Sequence, residues 1–261
     1  VLYDQGTLRE CAVQLNESVD DRALSLALTH ERYVVVAKPS GMAVHRTRGS
    51  HGVPLLQRLR DQLGQTVYPA HRLDRGTSGA QIMALDAEAQ RLLSLLFERG
   101  EVKKSYQAVV RGWPPPTLRI DHPLRRLDDD GVALADGSRQ DARSRVVCLA
   151  TTEIPTAVDR FPTSRYALVR VEPEEGRRHQ VRRHLKHVSH PIIGDTTYGK
   201  GLHNRFFKEQ FGGSRLLLHA DWLQFADPFD GVVRTVTVAP PPDFSEPARA
   251  AGLVATAGAA A

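Results

Sequence analysis

The chain has 261 residues, 41% of them hydrophobic, and its 35 Lys and Arg against 30 Asp and Glu leave a formal charge of +5. That length allows one large domain or two small ones with a substantial core, and the Arg-borne excess of positive charge leans towards a polyanionic partner. Two distant cysteines, Cys11 and Cys148, exclude a disulfide framework and a thiolate-built structural zinc site. No apolar run approaches the ~18 residues that span a membrane, and no basic-then-apolar leader opens the chain, so a soluble, cytoplasmic protein is expected.

Val1 to about Ala23 mixes polar and apolar residues without a sustained period, and residues 1–24 are expected to be a peripheral extension. Tyr33 to Ala37 reads as a strand. Pro54 to Leu63 reads as a helix, because Pro54 suits a first turn, Leu55, Leu59 and Leu63 recur at i, i+4 and i+8, and Gly64 stops it. Ala80 to Leu85 reads as a strand, followed by a helix that Asp86 caps and that runs to Arg99, with Leu92, Leu93, Leu96 and Phe97 as its buried stripe. Ser105 to Val110, Arg165 to Val171, Arg215 to Leu218 and Val232 to Val238 are further strands. Trp113-Pro114-Pro115-Pro116 and the charged stretch from Asp128 to Arg145 read as surface connections. Strands outnumber helices without a regular βαβ alternation, which predicts an α+β domain over residues 25–244 with a mixed, mostly antiparallel sheet. The Ala-rich end, residues 245–261, reads as a disordered tail.

The densest chemistry lies in His71-Arg72-Leu73-Asp74-Arg75-Gly76-Thr77-Ser78-Gly79, just before the Ala80 strand. A carboxylate between two arginines is expected to stay deprotonated, so Asp74 is available as a nucleophile or base. The same residues also fit a solvated charged turn. The second dense feature is Gly176 to Leu185, a helix entered from a strand, in which Val181, Leu185 and Val188 form the apolar side and Arg178 and Arg182 share a cationic one. Clustered like charges make sense opposite phosphates or a buried carboxylate, although a basic surface helix needs neither. His179, His184, His187 and His190 invite a metal reading, but no His-Glu-x-x-His spacing is present and Arg182, Arg183 and Lys186 would repel a divalent cation. Lys38, in the turn Lys38-Pro39-Ser40-Gly41, could reach a phosphate or nothing, and Tyr106 is either a core tyrosine or a functional one. Arg205-Phe206-Phe207-Lys208 interleaves cations with aromatics as single-strand RNA binders do, and equally fits a core-facing pair.

Taken together and in this order, these segments resemble the RluA type of pseudouridine synthase. Lys38 to Gly41 is similar to that family's first motif, His71 to Gly79 to its second, and Lys104-Ser105-Tyr106-Gln107-Ala108 to its tyrosine motif. Gly176 to Leu185 resembles the third, followed by His190-Pro191-Ile192-Ile193-Gly194-Asp195 and Leu218-His219-Ala220, so the resemblance covers about Leu26 to Pro240. It implies the pseudouridine synthase fold, with an active-site cleft across the sheet. It also implies a reaction without cofactor or metal, in which Asp74 attacks the target uridine, the glycosidic bond breaks, the base turns and C5 rejoins the sugar. On this resemblance Arg72 slips into the RNA in place of the flipped nucleotide, and Tyr106 stacks on the uracil and handles the C5 proton. Arg182 pairs with Asp74, and Val181 lines the uracil pocket. Lys38, His71, Arg75, Arg177, Arg183 and Lys186 complete the expected RNA-contacting set.

Arg178, where the wider type usually has Thr or Ser, and the run Arg160 to Tyr166 resemble the branch that modifies uridine 65 of tRNA. The expected partner is therefore RNA, and tRNA in particular, with no membrane and no obligate protein partner. The alternatives are the same reaction on large-subunit rRNA, against which the absence of an S4-like domain in the short N-terminal region counts, and a catalytically silent RNA-binding protein.

Overall fold

The computed structural model describes residues 23–46, 52–128 and 131–255, so the expected N-terminal extension lies almost wholly outside the described residues, as does Cys11. The first part of the chain supplies β1 (Leu26–Thr29), β2 (Tyr33–Lys38), α1 (Leu55–Leu63), β3 (Tyr68–Pro69), β4 (Ser78–Ala84) and α2 (Ala87–Glu98). Next come β5 (Lys103–Arg111), β6 (Thr117–Asp121), a small hairpin of β7 (Leu124–Arg125) with β8 (Arg139–Gln140), then β9 (Arg143–Ile154), β10 (Ser164–Pro173) and α3 (Gln180–His187). The chain continues through α4 (Gly201–Phe211), β11 (Leu218–Ala226), β12 (Val233–Thr237) and α5 (Pro242–Ala250). Apart from the β7–β8 hairpin, the strands form a mixed sheet in the order β1-β2-β4-β11-β5-β10-β9-β6, with β3 on β4 and β12 on β11. The fold is thus the α+β, mostly antiparallel arrangement that the sequence predicts.

The helices form where apolar spacing and capping coincide. Leu55 and Leu59 of α1 are buried against Val34, Val36 and Met83. The Asp86 carboxylate accepts from the Ala89 N–H at 2.9 Å, which caps α2 and leaves Ala89 and Leu93 to pack on Ala80 and Ile82. With helices on both faces, β4 is buried at all seven positions. In the other half of the sheet, Val181 and Leu185 of α3 pack on Ala108, Val110, Val169 and Val171. Phe207 of α4 and Phe244 of α5 cover Val109, Leu168 and Tyr166.

The two halves meet at the sheet's parallel pairing, β4 beside β11, with Ser78 opposite His219 and Gly79 opposite Ala220. Parallel strands enter from the same side, so the loops before β4 and before β11 emerge together. The Asp74 loop is one of them. At this seam the backbones lie so close that a Cβ on Gly79, whose φ is +119°, would sit 2.1 Å from the Ala220 carbonyl oxygen.

Several expectations are corrected. The stretch from Asp128 to Arg145 is more than a connection: it includes β8 and the start of β9, a long strand that pairs with both β10 and β6. Arginines on its outward positions disguise it, since Arg145 and Arg143 face Glu172, Glu174 and Glu175 across the strands. Arg215 to Leu217 is loop, with β11 beginning at Leu218. The supposed tail carries α5 from residue 242, and Ala248, Ala251 and Leu253 are core residues, because small side chains fit the shallow space over Leu149 and Phe207. Residues 256–261 lie outside the description. Phe207 is wholly buried, so the core-facing reading of Arg205 to Lys208 holds for it.

Histidines are built into this interior as neutral groups. His203 Nδ1 meets the Tyr166 hydroxyl at 3.0 Å and its Nε2 lies 3.1 Å from the Arg111 Nε donor. His71 Nε2 accepts the Ile82 N–H at 2.9 Å and its ring stacks on Phe97. Burial pushes His203 down to about 4 and His71 to about 3, assisted by nearby Arg111 and Lys104 respectively. In both cases the native state refuses a proton that the unfolded chain binds below about 6.5, so their stabilisation is complete above that pH and is lost as pH falls. Each is expected to cost about 2 kcal/mol at pH 5 relative to pH 7.5, measurable as a lower urea midpoint. His71→Gln, which keeps an acceptor for Ile82, is expected to recover one such share. Gly79→Ala is expected to destabilise by roughly 3 kcal/mol or more through the clash at the seam, and a urea midpoint near the wild-type value would contradict that packing.

Candidate active site

The loop from Ala70 to Thr77 carries Asp74 and is fastened on two sides. The Thr77 N–H bonds the Asp74 carbonyl at 3.0 Å, which closes the turn that the small residues predict. On one side the turn after β2 is stitched to it: Gly41 N–H donates to Arg75 O, Ser40 Oγ to Gly76 O, and Arg75 Nε to Gly41 O. Lys38 is 1% exposed, and its ammonium donates to the carbonyls of Pro39, Met42 and Arg75. Burial, and secondarily the charge of Arg215, push it down to about 7, against the pull of Asp74. The expected phosphate contact of Lys38 is therefore corrected: a side chain enclosed by three carbonyls has no path to RNA. On the other side Ser78 Oγ meets His219 Nδ1 at 2.8 Å and accepts from Arg215 at 2.8 Å. Arg215 also donates to Leu218 O and to Asp243 of α5. His71, partly buried, supports the loop by accepting from Ile82 N–H and stacking on Phe97.

The arginines flanking Asp74 turn away from it, Arg75 to the Gly41 carbonyl and Arg72 outwards, 3.5 Å from His45. The partner is Arg182 of α3. Its Nη1 donates to Asp74 at 3.0 Å, while Nε and Nη2 grip both oxygens of Asp195 at 2.7 and 2.9 Å. Asp195 is nearly inaccessible and Asp74 a quarter exposed, so one guanidinium joins a buried carboxylate to an open one. Burial opposes the charge on Arg182, but the hydrogen bonds and charge of Asp195, and then Asp74, raise its pKa above the ordinary value. Burial opposes the charge on Asp195 too, yet Arg182 and the N–H groups of Tyr198 and Thr197 hold it below the usual carboxylate range.

Local sequence explains how these groups meet. β10 delivers the chain to α3, and Gln180 pins the junction, accepting from Arg177 N–H and donating to Arg143 O. His179 precedes the helix with φ of 55°, an unusual backbone for a non-glycine residue. That conformation brings its Nε2 to 3.7 Å from Asp74 while Nδ1 meets the Tyr198 hydroxyl at 3.0 Å. Burial and the neighbouring Arg182 and Arg178 outweigh Asp74 and lower its pKa, so the ring faces Asp74 as a neutral dipole rather than an ion. Asp195 is delivered by a turn locked to α4, where Asn204 accepts from Gly194 N–H and donates to Asp195 O.

Tyr106 stands on β5 between Ala220 and Val171 and packs in the same apolar cluster as Val181. Burial first, and then the charges of Asp74 and Asp221, raise its pKa, so the ring beside Asp74 is a protonated phenol. The remaining expected residues divide. Lys186 is exposed above the Tyr198 ring at 5.9 Å. Arg177 is half-buried and donates to Asp141 O, and Arg183 is turned inward to the carbonyls of Arg125 and Arg178. Arg183 thus ties α3 to the β7–β8 hairpin through its Nη1. Arg178 lies in the turn before α3, not on the helical face shared with Arg182. Three participants escaped the sequence reading of roles: Asp195, His179 and Tyr198. Asp195 was visible only as part of a motif, and no local spacing couples it to Arg182.

Among the described residues, His30, Asp227 and Asp230 could bring metal-ligating atoms together, at the far end of β11, where Arg234 already donates to both carboxylates. At the Asp74 site the neighbours are a guanidinium, a neutral imidazole and a phenol, a set that can polarise and orient a bound group. Because Asp195 satisfies two guanidinium donors in a buried place, Asp195→Asn is expected to cost roughly 3–5 kcal/mol. Arg182→Lys is expected to cost nearly as much, since an ammonium lacks the planar fork. Urea unfolding measures both, and a loss below about 1 kcal/mol for Asp195→Asn would refute the shared-guanidinium account.

Comparison with known proteins bears on what this carboxylate does. A family model described as RNA pseudouridylate synthase matches residues 32–187, from the start of β2 to the end of α3. The chain is 44% identical over 211 residues to tRNA pseudouridine synthase C of Vibrio vulnificus (strain CMCP6), covering 79% of this chain and 86% of that one. It is 48% identical over 200 residues to the protein of the same name from Pasteurella multocida (strain Pm70), covering 75% and 82%. Among solved structures, human RNA Pseudouridylate Synthase Domain Containing 1 superposes with a TM-score of 0.68 at 25% identity, over 87% of each chain. With Asp74 and Arg182 both inside the matched span and relatives at 44–48% identity over three quarters or more of the chain, the chain belongs to the RNA pseudouridylate synthase family and is an isomerase.

Proposed function

We propose that this chain isomerises a uridine of tRNA to pseudouridine, at position 65, with Asp74 as the attacking carboxylate. The observation that carries this reading is the single hydrogen bond from Arg182 to Asp74, with the rest of the guanidinium committed to Asp195. Asp74 is oriented and charge-compensated, yet one of its oxygens is left without a hydrogen bond to Arg182 and the side chain keeps access to the cleft. A nucleophile needs both conditions. The relatives named tRNA pseudouridine synthase C support the choice of tRNA.

The reaction is an internal rearrangement: the N1–C1′ bond breaks, a C5–C1′ bond forms, and the proton on C5 is lost while N1 gains one. The target base must first leave its stack, at a cost of a few kcal/mol. Tyr106 and Val181 offer the extruded uracil an aromatic face and an apolar wall. As a protonated phenol Tyr106 stacks and donates rather than serving as a resting base. Arg72, exposed two residues before Asp74, would occupy the gap left in the RNA. Polarisation comes from Arg182 and the neutral His179, and no helix among the described residues is long and apolar enough to cross a membrane.

Asp74→Asn is expected to abolish tritium release from tRNA carrying 5-tritiated uridine while leaving tRNA affinity within a few fold. Turnover in that variant would remove Asp74 from the attacking role. Pseudouridine mapping of total RNA with and without the protein reads the substrate: a signal at uridine 65 of tRNA is expected, and one confined to rRNA would overturn the tRNA assignment.

A further inference from the structure

Beside the active site lies a hollow of about 540 Å³ whose rim carries Arg111, Arg160, Lys186 and Lys200, with Asp159 as its one carboxylate. Asp159 is within 3.9 Å of Arg111, a distance that compensates part of one cation and leaves the others unbalanced. Tyr198 lines this hollow and also belongs to the active site, where its ring lies 5.0 Å from the Arg182 guanidinium and its hydroxyl meets His179. A second hollow of about 340 Å³ continues past Arg111 and Asp159 to Phe161, Arg165 and His203. Here the loop between β9 and β10 raises Phe161, 51% exposed, with Arg160 stacked on it at 4.8 Å. Arg165 lies 4.3 Å over the exposed ring of Trp113.

We infer that this groove is a second RNA-binding surface. Lys200, Arg160 and Arg111 hold the sugar-phosphate backbone leading away from the flipped nucleotide, and Phe161 stacks on an unpaired base beyond it. Four cations gathered on one hollow repel one another unless a polyanion lies among them, and a chain of phosphates supplies charge at the required spacing along the whole groove. Cation-flanked exposed rings are the combination by which proteins hold unpaired RNA, since the arginine meets phosphate and the ring meets any base. Tyr198, shared by both linings, sets the groove directly beside the Asp74 site, where a strand leaving the reacting nucleotide would pass. An acidic protein would meet the charges but would have no use for the stacking faces.

This inference rests on the reading of tRNA as substrate, and the two are tested apart. Dissociation constants of the whole protein for a tRNA containing the target uridine are measured between 50 and 300 mM KCl. The double variant Arg160→Glu with Lys200→Glu is expected to bind at least tenfold more weakly at about 100 mM salt. Its slope of log affinity against log salt is expected to be shallower by roughly 1.5 to 2, the loss of two phosphate contacts. The milder pair Arg160→Gln with Lys200→Gln is expected to lose the same slope, which guards against a folding defect from charge reversal. Phe161→Ala is expected to weaken binding several fold without changing the slope. Wild-type affinity and slope in both double variants would overturn the groove as an RNA site, and would leave it to an acidic protein. Tritium release by the wild type from the same tRNA checks the substrate reading by itself: its absence would sink that reading whatever the affinities show.

Discussion

One guanidinium shared between two carboxylates organises this molecule. Asp195 takes the bidentate face of Arg182 in a buried place, where two N–H groups from its own turn complete its hydrogen bonding. That leaves a single donor aimed at Asp74. Had Asp74 received the bidentate face instead, both of its oxygens would be engaged and attack would require breaking a strong charge-assisted pair. Anchoring the arginine elsewhere gives Asp74 direction and charge compensation while keeping it reactive. The desolvation of Arg182 is offset mainly by Asp195 and only secondarily by Asp74.

The sheet exists, in functional terms, to bring three distant pieces of chain to this pair. The parallel seam between β4 and β11 places the Asp74 loop beside Arg215, which ties Ser78 to α5. β10, paired on β5, delivers α3 and Arg182. The bridge of Ile192 to Val110 sets the turn that holds Asp195, and Asn204 of α4 locks it. Strands far apart in sequence make these contacts, so the site's geometry depends on the assembled sheet.

This dependence also explains what sequence could and could not reveal. α1, α2, β2 and β4 were legible because leucine spacing, caps and short apolar runs bounded by turn residues are local signals. β9 was hidden by arginines that satisfy themselves on glutamates of the neighbouring strand, a pairing visible only once the strands are side by side. α5 was hidden by its prolines and alanines: Pro242 opens the helix, and the alanines are core residues only because Phe207 and Leu149 leave them little room. At the site, Asp74 stood out because Arg72 and Arg75 flank it, yet neither is its fixed partner. The pairing with Arg182 came from family resemblance alone, and the role of Asp195 came from neither spacing nor resemblance. Lys38 was misread because a polar side chain beside such a loop can serve the loop's backbone rather than a ligand.

The electrostatics then separate into an inside and an outside. Inside, Tyr106 is a neutral phenol, His179 a neutral imidazole, and Val181 apolar, so these three groups add no charge to the Asp74–Arg182 pair. Outside, Arg72, Arg75 and Lys186 stand exposed at the rim. A cleft with uniform positive charge would hold phosphates as readily at its floor as at its mouth, and the backbone would compete with the base for the position next to Asp74. On the proposed reading, a floor lined by neutral groups suits a base and a cationic rim suits a backbone. The direction in which a nucleotide must turn to enter follows from that division.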